Sequence, residues 1–250
     1  MKLRILLLSI GGLILFTIVI FIFSMGHHNK NISVVSDLAY NSGNSENEVY
    51  VYENGGYVPY IVITDDYAGN TLLLRKEALP QNYRINSYDS YYPDSDLDRY
   101  LNSVFLSSLE KVKSDIVETE IEVTAEDSIG VSGEETEKIS RQIFILSGHE
   151  MCCSSENMAM EGQPLSYFKS ISNRETLQNG KKASCWLRTP NTFYVSCLYV
   201  IGDNDKIGFT NASDFNAVRP AFCISGSYPV KRISFESASG EKGYVLEEKL

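Results

Sequence analysis

The sequence predicts an α+β domain with small antiparallel sheets, preceded by one N-terminal transmembrane helix. Three observations predict it. Residues 5–25, ILLLSIGGLILFTIVIFIFSM, contain no charged side chain. Beyond them, apolar side chains alternate with a period of two in several short segments, the signature of half-buried strands. The stretch YPDSDLDRYLNSVFLSSLEKV instead repeats its apolar residues every three or four positions, as one face of a helix does.

Taken in order, the 21 uncharged residues would rise about 30 Å as a helix, enough to cross the apolar core of a bilayer. Lys2 and Arg4 precede the run, so the N-terminus is expected in the cytoplasm and the rest outside it. Cleavage near Gly26 would instead release a secreted protein. The expected division is therefore a cytoplasmic start and signal anchor over 1–25, a flexible stalk over 26–48, and an extracytoplasmic domain over 49–250. The stalk is assigned on its Asn, Ser and Gly content. Strands are expected around 49–53, 57–64 and 71–76, with turns at Asn54-Gly55-Gly56 and at Asp65 to Asn70. The helix follows, with Leu97, Tyr100, Leu101, Val104, Phe105 and Leu109 as its apolar stripe and Ser95 or Asp96 as its cap. In VETEIEVTAED, Val117, Thr119, Ile121 and Val123 face one way and three glutamates the other. Those carboxylates spread over about 13 Å of strand and read as a solvated face rather than a metal site. Residues 125–138 read as a loop or short helix, QIFILS as a buried strand, and 149–184 as short helices and long loops. TFYVSCLYVIG, KIGFT, AVRPAFCI, VKRISFES and GYVLEE supply further strands.

The balance of 22 Lys+Arg against 32 Asp+Glu gives a formal charge of −10. Such a surface gives no help to phosphate-backbone binding, and no nucleic-acid partner is expected. No cofactor and no metal site is expected either, Asp203 and Asp205 being a weak divalent-ion alternative to a polar turn. Cys185, Cys197 and Cys223 are candidates for a disulfide or for buried thiols. Cys152 and Cys153 are too close in sequence to bond each other comfortably. His149 and Cys152 would share a face if their segment were helical, which is the basis of an enzyme alternative that also includes Cys153 and Cys185. The main chemical candidates lie in CWLRTP and NAVRPAFC. Arg188 and Arg219 each present a rigid fork of donors beside a proline-restrained backbone, and Trp186 is the only tryptophan. These three residues suit either a ligand site or the scaffold.

The ordered set LDRYLNSVFLSSLE, FILSGHEM, CWLRTP and AVRPAFCI resembles a bacterial family of uncharacterised domains, frequent in secreted and membrane-attached proteins of Firmicutes. The resemblance covers about residues 57–224. The family is similar in turn to C-type-lectin-like and formylglycine-generating-enzyme-like folds, which implies a loop-rich lectin-like architecture but no chemistry. Cys185 departs from the family's usual aromatic, and Ala217 from its usual glycine. The function expected is a membrane-anchored extracytoplasmic binding or accessory domain for an envelope glycan, peptide or membrane protein, tethered through residues 5–25. An extracytoplasmic enzyme and a purely structural interaction domain are the alternatives.

Overall fold

A computed structural model describes residues 31–235 and 242–247. Its strands are β1 (Glu48–Glu53), β2 (Gly56–Tyr67), β3 (Asn70–Arg75), β4 (Ile116–Val117), β5 (Thr119–Thr124), β6 (Thr136–Arg141), β7 (Ile143–Phe144) and β8 (Leu177–Gln178). They continue with β9 (Lys181–Lys182), β10 (Cys185–Pro190), β11 (Cys197–Ile201), β12 (Ile207–Asn211), β13 (Ala221–Ile224), β14 (Val230–Ser234) and β15 (Lys242–Leu246). Eight of them form one sheet in the order β14-β15-β1-β2-β3-β13-β4, with β7 also pairing β13. Three smaller sheets are β10-β11-β12, β5-β6 and β8-β9.

The opening meander is local chemistry. Asn54 and Gly55 both hold positive φ, 50° and 83°, which closes the β1–β2 hairpin with the twist its strands require. The main sheet is not purely antiparallel, as expected, but mixed, because β15 pairs β1 in parallel with Tyr50 opposite Val245. Parallel neighbours need a long connection, and here nearly the whole domain lies between them.

The helix stands where its period places it. It runs as an α segment Asp96–Tyr100, a π segment Leu101–Phe105 and an α segment Leu106–Ser108. Ser95 caps it, its hydroxyl accepting from Asp98 N at 3.2 Å. The π turn spaces contacts five apart rather than four, so the buried stripe passes from Leu101 to Phe105 and Leu106. Val104, expected inside, is exposed. Asp98 is buried against Arg141 of β6, which donates to its two oxygens at 3.0 and 2.8 Å and ties the helix to the β5–β6 hairpin.

Two expectations need correction. No helix among the described residues is long and apolar enough to cross a membrane. The longest helical run among the described residues, 96–108, is amphipathic and spends its apolar face on the core. Residues 5–25, where the transmembrane helix was expected, lie outside the described residues. The fold class is corrected to an α+β domain with a curled, mixed sheet and small helices. The expected membrane anchoring, membrane partner and single-pass localisation are not carried further. The stalk assignment also changes, because the compact unit begins at Ile32. Val35, Leu38 and Ala39 are fully buried, and Val35 N donates to Tyr228 O at 2.8 Å. A low apolar content over 26–48 concealed three residues that fill the core.

Candidate functional site

All six residues of CWLRTP form β10, and all six are buried. Trp186 packs in the core and its indole N–H donates to Tyr83 O at 2.7 Å, the partner a buried indole requires. Arg188 is wholly buried and each of its three guanidinium nitrogens is hydrogen-bonded. Nη1 and Nη2 donate to the two oxygens of Glu150 at 2.7 and 2.8 Å, Nη1 also to Ile145 O at 2.9 Å, and Nε to Glu122 O at 2.9 Å. This bidentate geometry is the strong form of the pair. Burial alone would depress the guanidinium, but Glu150, Tyr67 and Glu161 hold its pKa above the ordinary value.

Glu150 is built into the turn after β7. Ser147 N donates to its Oε2 at 2.9 Å, its own N–H donates to Ser147 Oγ at 3.0 Å, and Tyr67 of β2 donates to Oε1 at 2.5 Å. Gly162, at φ 71°, comes so close that a Cβ there would lie 2.6 Å from Glu150 Oε1. A second carboxylate, Glu161, is also fully buried and lies 3.6 Å from Arg188 Nε. It accepts from Thr124 N, Thr124 Oγ1 and Thr189 Oγ1, each at 2.7 Å. Two carboxylates share one guanidinium. Burial accordingly raises the Glu161 carboxyl above the usual range, against the opposing pull of Arg188 and the threonines.

Arg219 is also buried, yet it meets carbonyls: Nε donates to Arg75 O at 3.1 Å and Nη1 to Glu175 O at 3.5 Å. Burial depresses its pKa, and the Arg75 charge adds to the effect. Arg75 itself reaches Glu53 at 3.1 Å and the carbonyls of Glu77 and Ala78. The structure does not bring Arg188 and Arg219 to one pocket; each closes its own set of loops.

The remaining candidates are dispersed. All five cysteines are free thiols, with Cys185 and Cys223 buried and Cys197 half-buried. Burial pushes the Cys223 thiol up to about 12. Asp205 pairs with Lys182 at 3.0 Å and Asp203 is exposed in the same turn. His149 Nδ1 is bonded to Gly162 O and Cys152 Sγ to Leu165 O, so the imidazole and thiol are held by different carbonyls.

A surface that the sequence reading missed follows directly after β10. TFYVS, expected as strand, is a loop that exposes Phe193, Tyr194 and Val195 by 56%, 47% and 60%. Tyr194 packs on exposed Phe209 of β12 with ring centroids 5.5 Å apart, and Phe193 sits edge-on to Tyr194 at 4.8 Å. The backbone beneath is fixed. Asn191 Oδ1 accepts from Phe193 N and Tyr194 N at 3.1 and 3.2 Å, Thr192 O accepts from Gly130 N and Ser132 N at 2.7 and 3.0 Å, and Val195 O accepts from Ser90 N at 3.2 Å. Gly130, at φ 87°, leaves room for Val195, whose Cγ1 would lie 2.6 Å from a Cβ there. The stretch 189–218, which carries the loop and Phe209, holds one cation, Lys206, and three acids, Asp203, Asp205 and Asp214. The only signal in the sequence was three bulky residues following a Pro-Asn-Thr step.

A family model described as a domain of unknown function (DUF6273) matches residues 68–226, well over half of the chain. The chain belongs to this family. The DUF6273 match agrees with the region of resemblance read from the sequence, and it carries no organism, lectin or enzyme assignment. No curated protein and no solved structure matches, so the lectin-like and formylglycine-generating-enzyme-like comparison gains no support. Within the DUF6273 region lie Glu150, Glu161, Arg188, Arg219 and the aromatic loop.

Two outcomes follow from the buried charges. Arg188→Met or Glu150→Gln should destabilise the domain by about 3–5 kcal/mol, because each strands the other partner's charge. Arg188→Lys should not rescue, since an ammonium lacks the fork. Arg219→Met should cost less, and guanidinium chloride unfolding midpoints with matched slopes would rank the three. The folded state also keeps the Glu161 proton at a pH where the unfolded chain has lost it. Stability should therefore fall as pH rises from the ordinary carboxylate range through the raised folded pKa. Glu161→Gln should flatten that slope in urea titrations across pH; an unchanged slope would assign it to another group.

Proposed function

We propose that the domain is a binding module whose recognition surface is the aromatic loop Phe193–Val195 together with Phe209. Its partner is a polypeptide segment that places Lys or Arg beside apolar side chains. One observation carries the reading: large apolar side chains stand exposed together on a backbone already fixed by hydrogen bonds. Exposed apolar groups in contact with one another mark interaction sites more often than scattered ones do. A preformed loop loses less entropy on binding than a mobile one.

The chemistry of the partner comes from the rim. Aromatic faces attract ammonium and guanidinium groups. The stretch 189–218 holds three acids against one Lys, and the chain as a whole 32 Asp+Glu against 22 Lys+Arg. Phosphate-rich ligands would meet repulsion there, and a cationic segment would be steered inward. Binding is favoured over thiol catalysis by the separate carbonyl bonds of His149 and Cys152.

An array of synthetic peptides alternating Lys or Arg with Phe or Leu, with acidic counterparts of the same apolar content, would test this. Fluorescence anisotropy should show binding to the basic series that weakens with added salt. The double variant Phe193→Ser, Phe209→Ser should lose at least about tenfold in affinity, the loss expected of an aromatic anchor, at an unchanged unfolding midpoint. Equal binding by the double variant, or a preference for the acidic series, would contradict the proposal.

A further inference from the structure

Three of the protein's five methionines, Met151, Met158 and Met160, fall in the twelve residues HEMCCSSENMAM, 149–160, with His149, Cys152 and Cys153. The other two methionines are Met1 and Met25, and the other histidines are His27 and His28. Beyond Met25, His27 and His28, no other segment of the chain concentrates sulfur and imidazole donors in this way. The fold then sorts them. Cys152 Sγ donates to Leu165 O at 3.3 Å and Cys153 Sγ to Met151 O at 3.6 Å, and of Met151, Cys152 and Cys153 only Cys153 borders the cleft that the remaining donors line. His149, Cys153, Met158 and Met160 all line one cleft of about 320 Å³.

From this juxtaposition we infer that His149, Cys153, Met158 and Met160 form a binding site for a soft monovalent metal ion, Cu(I). The donor chemistry selects the ion. Thiolate and thioether ligands favour Cu(I), whereas carboxylate and carbonyl oxygens favour harder ions. Among the described residues no group of three or more His, Cys, Asp and Glu is placed to hold a metal; the cleft instead offers one imidazole, one thiol and two thioethers. A divalent zinc or calcium site has no such use for two thioethers.

The surroundings orient the donors. His149 Nδ1 lies 2.9 Å from Gly162 O, and an Nδ1–H donor there leaves Nε2 with its lone pair free. Metal-binding imidazoles are commonly fixed by such a bond to a backbone carbonyl. Met158 packs directly over Gly148, where a Cβ would lie 2.7 Å from its Sδ, which keeps the thioether beside the chain entering His149. Cys153 is 6% exposed at the inner side of the cleft, while Met160 is 70% exposed and stands at its mouth. Binding is a ligand exchange without redox change: Cu(I) forms a bond to Cys153 Sγ, the thiol proton passes to solvent, and the thiolate balances the ion's single charge.

The test titrates the full-length, reduced protein with Cu(I) under anaerobic conditions against a chromogenic Cu(I) chelator. One equivalent should be retained, with sulfur-dominated coordination in X-ray absorption. Met158→Leu combined with Met160→Leu keeps the side-chain volume and should therefore fold. That pair should weaken binding by at least about tenfold, the loss typical of disturbed metal ligation. Cys152→Ser should bind as the parent does. Failure to compete with the chelator, equal affinity in the methionine pair, or Zn(II) held as tightly as Cu(I) would each overturn the site.

Discussion

The bidentate pair between Arg188 and Glu150 is the interaction on which the loop-rich half of the domain depends. A guanidinium with no exposure must receive donors' partners from every direction, and here they come from separate parts of the chain. Glu150 belongs to the turn after β7, the Ile145 carbonyl to the segment leading into that turn, the Glu122 carbonyl to β5, and Glu161 to the loop beyond. Tyr67 brings in β2 through Glu150. Elements too irregular to pair as strands are thus aligned by one side chain. Buried ion pairs add little net stability over an apolar replacement, but removing one partner is costly. Their effect is to permit one arrangement of these loops and penalise the others.

Arg75 and Arg219 perform a related task at the other side of β10. Arg75 of β3 pairs with Glu53 of β1 across the intervening β2, and Arg219 caps the Arg75 carbonyl from the segment entering β13. The DUF6273 match begins just before β3 and ends just after β13. The strands β14, β15, β1 and β2 therefore complete the large sheet from outside the matched region. Tyr67, which donates to Glu150, stands at that border. The ionic centre is largely internal to the family domain, and one of its hydrogen bonds reaches into the added half of the sheet.

Local chemistry was legible in the sequence. Ser95 as the helix cap, the Asn54-Gly55 turn and the alternation of Ile121 and Val123 with glutamates all appear where short-range rules place them. What could not be read was set by distant partners. Nothing near Arg188 in sequence identifies Glu150 and Glu161 as the acids it meets, so a scaffold role for CWLRTP could be preferred over a ligand role without its partners being named. The parallel pairing of β15 with β1 joins residues nearly two hundred positions apart, beyond any periodicity. Val35, Leu38 and Ala39 were hidden by polar neighbours. Phe193 to Val195 read as strand because aromatic and β-branched residues suit a strand, whereas Asn191 captures their amides and turns them outward. The soft donors of 149–160 were visible as letters, but only the fold separates Cys152 and Met151 from the cleft.

Arg188, Thr189, Asn191 and Thr192 form a continuous buried run that ends where the exposed aromatic side chains begin. The ionic centre and the recognition loop are in this sense one device: charge fixed inside, apolar surface presented outside. Hydrogen exchange on Glu150→Gln, compared with the parent under conditions where both remain folded, tests that connection directly. The account predicts faster exchange at Gly130, Ser132, Phe193 and Tyr194, with protection of β1, β2 and β3 retained. Unchanged protection of the aromatic loop, or a loss spread evenly over the large sheet, would contradict it.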